Sequence, residues 1–329
     1  MEQQTNRPLK LTHVGCCVCE SEDAEPVGVG QDFEYRTSAD TFLAMQCNSC
    51  GLVYLDPRPS ASEFERIYPA NYHAFDFSAE DFGFVHKVRS RLEAKRLLEW
   101  CADLPDDARI LDVGCGDGFH LNLLKKYGKP GWTLEGVDID RRAAEMAERS
   151  NLKVHTGSLE ALDLPANSYD LAFMIQTIEH VEHPEKILAA AREVLKPGGK
   201  LVVVTDNTDS FDFKFFKGSY WGGYHFPRHW NLFNRRSLTD LAAKTDFEVA
   251  ELATVVSPVN WVYSIHNALV DWRAPKFLID RFTLKSTVSL SIFTSLDILL
   301  QKIGRGALLR AILRKPKEFL ATNYINNAK

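Results

Sequence analysis

The chain has 329 residues, of which 45% are hydrophobic, enough to fill the core of one large domain with an accessory unit. Its formal net charge of -5 argues against a protein that coats nucleic acid through bulk positive charge. The N-terminal segment MEQQTNRPLKLTHVG lacks the apolar run of a secretory signal, so we expect a cytoplasmic protein with reduced cysteines.

Two C-x-x-C pairs lie near the N-terminus and are separated by 27 residues. Each pair can present two thiolates from one turn, which suits tetrahedral zinc. Four thiolates leave no open coordination position, so the metal would be structural. The sequence therefore predicts a zinc-ribbon-like lobe over residues 1–60, and the alternative is four unrelated thiols. The predicted ligands are Cys16, Cys19, Cys47 and Cys50.

A connector rich in proline and aromatic residues is predicted over 61–83, followed by a helix from Phe84 to about Leu104. Beyond Pro105 the pattern alternates between strand and helix. Strands appear in ARILDVG, WTLEGVDID, KVHTG, YDLAFMIQ and GKLVVVTDN. This alternation predicts an α/β domain over 84–256 with a doubly wound parallel sheet, whose ligands lie at the carboxyl ends of the strands.

The segment RILDVGCGDGFHL predicts the cofactor site. A dinucleotide fingerprint would need a third glycine where Phe119 stands, so nicotinamide dinucleotides are disfavoured. Asp112 would add negative charge where a pyrophosphate rests, which suits a cationic ligand better. A ligand with a sulfonium, an ammonium and one carboxylate fits, since the helix beginning near Gly118 can face the carboxylate. Asp138, at the end of the second strand, is placed to accept the ribose hydroxyls.

The chain resembles the class I S-adenosylmethionine-dependent methyltransferases from about Ala94 to Val256. The resemblance is carried by ILDVGCGDG, EGVDID, TGSLEALDLP, YDLAFMIQTIEHV and VLKPGGKLVVV. It implies a mostly parallel, seven-stranded Rossmann-like sheet. The resemblance also implies by position which residues contact each part of the cofactor. The methionine part would contact Asp112, Gly114 and Gly116, and the ribose would contact Asp138. The adenine would contact Ile139, Ser158 and Leu159, and Gln176 would lie on the sulfonium side. Taken singly, Ile139 and Leu159 could be ordinary core residues, and Ser158 a turn residue.

Candidate bases are expected on the loops after the fourth and fifth strands. Histidines are favoured among them because imidazole titrates near neutral pH. His229 is the first candidate, ahead of His225 and Tyr224. His180 is also a candidate base, and the alternative is that it is structural or lies beside the cofactor. The segment YWGGYHFPRHWNLF can instead be a lid that His229 only braces. Within it, Arg228 is a candidate contact for a substrate anion and Trp221 a candidate substrate-binding aromatic.

The segment 257–329 is predicted to be a helical extension with excess positive charge. From Lys276 to Lys329 there are ten lysines and arginines against three acids. Asp297 and Lys302 interrupt the apolar run, so it does not predict a membrane span. A substrate cap, a dimer contact and a membrane-surface element remain open. The apolar stripe is formed by Val288, Ile292, Leu296, Leu299 and Ile303.

These features together favour methyl transfer to an oxygen or carbon atom of a small metabolite, such as a sugar, a polyketide or a lipid-like intermediate. The arrangement of a zinc lobe before this domain is similar to that in nucleotide-sugar C-methyltransferases. The large C-terminal domain of that family is not evident in this sequence. One alternative is a zinc-ribbon RNA-base methyltransferase, which the acidic balance disfavours. Another is a non-catalytic module that binds the cofactor. The implied cofactors are S-adenosyl-L-methionine and structural Zn²⁺.

Overall fold

The computed structural model describes residues 7–69, 72 and 79–317. The N-terminal lobe is an antiparallel β structure in which β2, β3 and β4 pair in that order, while β1 pairs with β5. The lobe strands are β1 (Leu11–Thr12), β2 (Ala24–Gly30), β3 (Phe42–Cys47), β4 (Val53–Leu55) and β5 (Arg58–Pro59). A short helix, α1 (Phe64–Ile67), follows them, and part of the predicted connector lies outside the described residues.

The main domain is built on a seven-stranded sheet, which confirms the predicted Rossmann-like class. Five strands run parallel in the order β10, β9, β6, β7, β8, and β13 and β12 extend the sheet beyond β10. The strands are β6 (Arg109–Val113), β7 (Thr133–Asp138), β8 (Lys153–Thr156), β9 (Tyr169–Ile175), β10 (Leu195–Asp206), β12 (Glu248–Val255) and β13 (Leu308–Arg314).

Helices cover both faces of this sheet, as the near-continuous apolar runs of β9 and β10 require. One face packs on α5 and α7, and the other packs on α2 and α3. The helices are α2 (Ala79–Trp100), α3 (Phe119–Tyr127), α4 (Arg141–Arg149), α5 (Pro184–Val194), α6 (Phe211–Phe216), α7 (Arg235–Lys244), α8 (Val259–Asp271), α9 (Lys276–Ile279) and α10 (Thr287–Lys302). None of the helices in the described ranges combines the length and hydropathy needed to cross a bilayer.

The C-terminal extension is helical through α8, α9 and α10, but its last described element differs from the helical prediction. β13 is inserted between β10 and β12 and is antiparallel to both. Burial on both faces of the sheet explains why the segment is so apolar. A boundary at residue 256 would separate β13 from the sheet that it completes, and the predicted domain limits stay predictions.

The two units interlock through the loop that follows β10. Its strand β11 (Asn231–Leu232) pairs antiparallel with β4 and becomes the fourth strand of the lobe sheet. In the same loop, the guanidinium of Arg228 makes two bonds to the carboxylate of Asp32, at 2.9 and 3.2 Å. The loop is therefore held by the lobe on one side and by the main sheet on the other.

Candidate cofactor and acceptor site

A glycine loop opens a crevice at the carboxyl end of β6. Gly114 and Gly116 have φ values of +75° and +53°, in the region that glycine adopts without strain. A Cβ atom on Gly114 would lie 2.4 Å from Thr177 Oγ1, so the loop also needs glycine for space. α3 starts directly after the loop, so its first backbone N–H groups are near the crevice.

Asp138 lies at the end of β7 and holds this loop in place. Its two carboxylate oxygens accept hydrogen bonds from Gly116 N and Asp140 N, both at 2.8 Å. Burial raises the pKa of Asp138 to about 6, against the lowering effect of those bonds. Ile139 follows with its side chain 60% exposed, so it is accessible to an apolar ring of a bound ligand. Asp138 can therefore contact a ribose hydroxyl, and Ile139 can contact an apolar ring beside it.

Asp112 presents an orphan oxygen in the same crevice. The side chain is buried, and no described residue lies within hydrogen-bonding distance of its Oδ2. The nearest cationic group is His120 Nδ1, at 3.6 Å. Burial opposes protonation of His120, but contact with Asp112 outweighs it and the pKa of His120 is raised. A buried carboxylate oxygen that accepts no hydrogen bond fits the ammonium of a bound ligand, beside its ionic contact with His120.

The other predicted cofactor residues have different surroundings. Leu159 belongs to the main core cluster, in line with its ordinary-core alternative, and Ser158 is half-buried before it. Gln176 follows β9 with φ +52° and donates from Nε2 to Glu179 Oε1 at 2.8 Å. Its Oε1 is buried, and no partner for it is found among the described residues. Gln176 therefore offers an unused acceptor at the carboxyl edge of the sheet.

Three predicted histidines come together at this edge. The ring of His229 lies 4.5 Å from that of His180 and 5.0 Å from that of His225, between centroids. His229 Nδ1 donates to Gly223 O at 2.8 Å, which leaves the lone pair on Nε2. Burial, with the charges of His180 and His225, lowers the pKa of His229 well below its usual value. His229 is therefore neutral near neutral pH and can accept a proton.

The neighbouring histidines are held by other elements. His180 Nδ1 lies 2.9 Å from the hydroxyl of Tyr68, which follows α1. His225 Nδ1 lies 2.7 Å from Glu34 Oε2, and its backbone has φ +38°. A left-handed conformation in a residue other than glycine is typical of positions held for function. The lobe thus contributes Glu34 to the surroundings of the histidines.

Sequence reasoning missed two buried carboxylates beside these histidines, Glu179 and Asp206. Burial raises the pKa of Asp206 to about 7 and that of Glu179 well above its usual value. Their position at the ends of adjacent parallel strands was the available signal. Donor atoms of Glu179, His180 and His229 lie within 4.8 Å of one another. Both Glu179 oxygens already accept bonds, from Gln176 and Thr205, so we interpret the group as a hydrogen-bonded cluster.

The side chains of Tyr224, Trp221 and Arg228 are packed within the loop that follows β10, and their contacts do not match the predicted roles. The Tyr224 hydroxyl donates to Lys217 O at 2.6 Å, and burial raises its pKa, so it is a poor base. Trp221 is buried and donates from Nε1 to Asp212 Oδ2 at 2.6 Å. Arg228 is fully buried and its charge is balanced by Asp32, so we do not retain it as an anion contact.

The four predicted cysteine ligands converge in the lobe. Sγ–Sγ distances are 3.4 Å for Cys16 and Cys50, 3.6 Å for Cys16 and Cys19, and 3.4 Å for Cys19 and Cys47. Four sulfurs about 2.3 Å from a tetrahedral zinc would be slightly farther apart than this, so the cluster can hold the ion with small adjustments. Cys17 points away and donates to Asn231 Oδ1 at 3.3 Å.

Comparison with known proteins adds a family match. The family model described as "Methyltransferase domain" matches residues 84–252. An S-adenosyl-L-methionine-dependent Diels-Alderase from Talaromyces variabilis is 37% identical over 164 residues, or 46% of this chain and 54% of the relative. A ubiquinone biosynthesis O-methyltransferase from Cereibacter sphaeroides is 31% identical over 177 residues, or 50% of this chain and 70% of the relative.

The coverage of the two chains varies among the other matches. The chain spans 30% of an uncharacterized transposon protein from Streptomyces fradiae, with 36% identity over 105 residues. Among solved structures, a Thermotoga maritima protein described as a possible histamine N-methyltransferase has a TM-score of 0.48 and 23% identity. That comparison covers 76% of this chain and 99% of the other.

Proposed function

The chain belongs to the methyltransferase domain family, and on that premise we propose that it transfers a methyl group from S-adenosylmethionine to a small molecule. The proposal rests on the crevice beyond β6 and β7. There, Asp138 fastens the glycine loop, and the orphan oxygen of Asp112 is buried within reach of a cation. A cationic nucleoside satisfies that orphan oxygen, whereas a pyrophosphate would be repelled by it.

The residues divide the binding of the cofactor among them. Asp138 would accept the ribose hydroxyls, Ile139 would cover one face of the adenine, and Asp112 would pair with the ammonium. Gln176 Oε1 lies on the side proposed for the sulfonium. When bound, S-adenosylmethionine supplies an electrophilic methyl group on a sulfur that leaves as a neutral thioether.

The acceptor is proposed to bind at the carboxyl edge of β9 and β10, where His229 is held. Its Nδ1–H is fixed by the carbonyl of Gly223, so Nε2 is the proton acceptor. An oxygen or acidic carbon of the acceptor would lose its proton to this nitrogen as the new bond to the methyl carbon forms. His180 and His225 flank the ring and restrict its orientation.

The acceptor is proposed to be a small metabolite with a hydroxyl or an acidic carbon, such as a sugar, a polyketide or a lipid-like intermediate. The four-cysteine cluster is proposed to hold structural zinc. The lobe would then stabilise the wall that carries Glu34, which contacts His225 at 2.7 Å. The lobe thus acts on the acceptor side of the site without supplying an open metal position.

Titration calorimetry on the full chain tests the cofactor assignment. We expect S-adenosylhomocysteine to bind and NAD to give no heat of binding. The opposite result would overturn the proposal. Transfer of a labelled methyl group is then followed separately into extracted small molecules and into RNA. Label that enters only RNA would favour the RNA-base alternative over the metabolite acceptor.

A further inference from the structure

The outer side of α10 and its C-cap carries an apolar stripe, which we call the α10 face and define as Val288, Ile292, Leu299 and Ile303. These side chains are 68, 58, 60 and 69% exposed. Their spacing of four, seven and four residues places them on one side of the helix. At 1.5 Å per residue the stripe is about 22 Å long. An apolar stripe of this length on a helix surface is typical of an interaction site.

The opposite side of α10 is anchored, so the stripe cannot turn inward without breaking buried contacts. Asp297 is buried and accepts hydrogen bonds from Ser257 N at 2.8 Å and Ala307 N at 3.1 Å. Phe293 stacks on Trp261 of α8, with ring centroids 5.6 Å apart. The rotation of the helix about its axis is therefore fixed with the α10 face toward solvent.

Exposed aromatic side chains also lie on the elements that pack with α8, the helix on which α10 packs. Phe211 N, at the start of α6, donates to Arg305 O just beyond the end of α10, and Phe211 and Phe215 are both exposed. Trp272, directly after α8, and Phe277, in α9, are also exposed. Exposed aromatic rings beside an apolar helix face are typical of proteins that sit at the boundary between water and lipid.

The same region is strongly basic. Residues 272–305 hold six lysines and arginines and two aspartates. Of those two acids, Asp297 is buried, and Asp280 is paired with Lys276 at 2.7 Å. The whole chain has a net charge of -5, so this surface differs in sign from the rest of the molecule. Its counterpart should be anionic.

We propose that the α10 face docks on an anionic lipid surface. Apolar side chains would enter the interface while the surrounding lysines and arginines contact lipid headgroups. A second copy of the chain fits less well, because symmetric contact through this face would bring two basic surfaces together. The docking does not depend on the proposed methyl transfer.

Co-sedimentation of the full chain with vesicles tests the proposal. We expect binding to vesicles of phosphatidylcholine mixed with phosphatidylglycerol, and weak binding to phosphatidylcholine alone. Raising the salt concentration should weaken the binding. The double variant Ile292→Ser with Leu299→Ser should bind at least about tenfold more weakly, since two large apolar side chains no longer leave water. The matched control is Leu92→Ser, an exposed apolar residue on α2.

A charge variant separates the two contributions. Lys302→Glu should lower binding to the mixed vesicles by about tenfold, whereas Lys87→Glu on α2 should leave it unchanged. Equal binding of the double serine variant and the unmodified chain would overturn the proposal. So would light scattering that shows a dimer converted to monomer by the double variant, which would assign the face to a second copy. Cofactor binding, measured by calorimetry, should be the same in all these variants.

Discussion

Asp138 holds the glycine loop and is proposed to bind the ribose, so its ionisation should be visible in the affinity for the cofactor. Because burial raises its pKa to about 6, the carboxylate is lost as the pH falls through that value. We therefore expect the affinity for S-adenosylhomocysteine to fall about tenfold between about pH 7.5 and pH 5, by calorimetry. Asp138→Asn should bind weakly at both pH values.

The contribution of Asp138 to the free energy of unfolding changes with pH in the opposite direction to its contribution to cofactor affinity. Its folded-state pKa lies above the unfolded value of about 4, so the folded chain holds the proton more tightly. This contribution to the free energy of unfolding is complete below about pH 4 and is lost as the pH rises through about 6. Asp163→Asn, at an exposed position, is the control. An unchanged affinity in Asp138→Asn would contradict the ribose assignment.

His229 is expected to act on turnover rather than on cofactor binding. His229→Ala should lower kcat by about 100-fold to 10,000-fold, the range for loss of a general base. Because burial lowers the pKa of His229, kcat should stay level as the pH falls through about 6.5. His266→Ala, on α8, is the control. An unchanged kcat in His229→Ala would remove this residue from the reaction.

The sequence alone could predict that the residues proposed for the cofactor lie near one another, but not how the side chains of the loop after β10 are packed. Asp112 and Asp138 lie at the carboxyl ends of β6 and β7, two strands whose order is visible in the pattern, so their proximity could be inferred. Arg228 pairs with Asp32, which is 196 residues away, and no local pattern predicts such a contact. The sequence therefore offered no reason to place Arg228 inside the fold rather than beside a substrate anion.

At the scale of secondary structure elements, the four-cysteine cluster should determine whether the lobe sheet forms. Cys47 is the last residue of β3, and β3 pairs with β4. β4 also pairs with β11, which belongs to the loop that follows β10. We expect one zinc per chain in the unmodified protein and none in Cys47→Ser, by elemental analysis, with a lower melting temperature. Cys17→Ser should retain the metal. Zinc retained by Cys47→Ser would contradict the ligand set.

β13 should contribute to the stability of the whole sheet. Leu309 is fully buried between β10 and β12, so Leu309→Ala should lower the free energy of unfolding by about 2–5 kcal/mol. Urea unfolding measures this value. Leu299→Ala, on the exposed face of α10, should change it by less than about 0.5 kcal/mol. Similar values for the two variants would show that β13 packs loosely.

The sequence could not predict β13 as a strand. Its residues LLRAILR are apolar at five of seven positions, a pattern that serves a buried strand and a helix equally well. The preceding apolar helix α10 favoured continuation of the helical prediction. The choice depends on the open edge of β10, whose residues are more than a hundred positions earlier in the chain.

For the molecule as a whole, the pair of Asp32 and Arg228 joins the lobe to the catalytic domain. Both side chains are fully buried. Asp32→Asn should lower the free energy of unfolding by about 3–5 kcal/mol, because a buried guanidinium loses its counter-charge. Chemical denaturation measures it. Glu20→Gln, which breaks an exposed pair with Lys244, should have little effect.

The stability contributed by the pair of Asp32 and Arg228 depends on pH. Burial alone would raise the pKa of Asp32, but the charge and hydrogen bonds of Arg228 outweigh it, and the pKa is lowered. The stability is therefore present above the unfolded pKa of about 4 and is lost as the pH falls through the lower folded value. A stability that is equal in Asp32→Asn and the unmodified chain at neutral pH would show that the two units are held together elsewhere.

The position of β13 also has a consequence for biosynthesis. β12 pairs only with β13 among the described strands, and β10 has β13 as its neighbour on that side. While the ribosome is still synthesising α8 to α10, both edges are without a partner and open to contact with other nascent chains. Completion of the sheet must therefore wait until residues 308–314 have left the exit tunnel, and premature termination before them would yield a chain prone to aggregation.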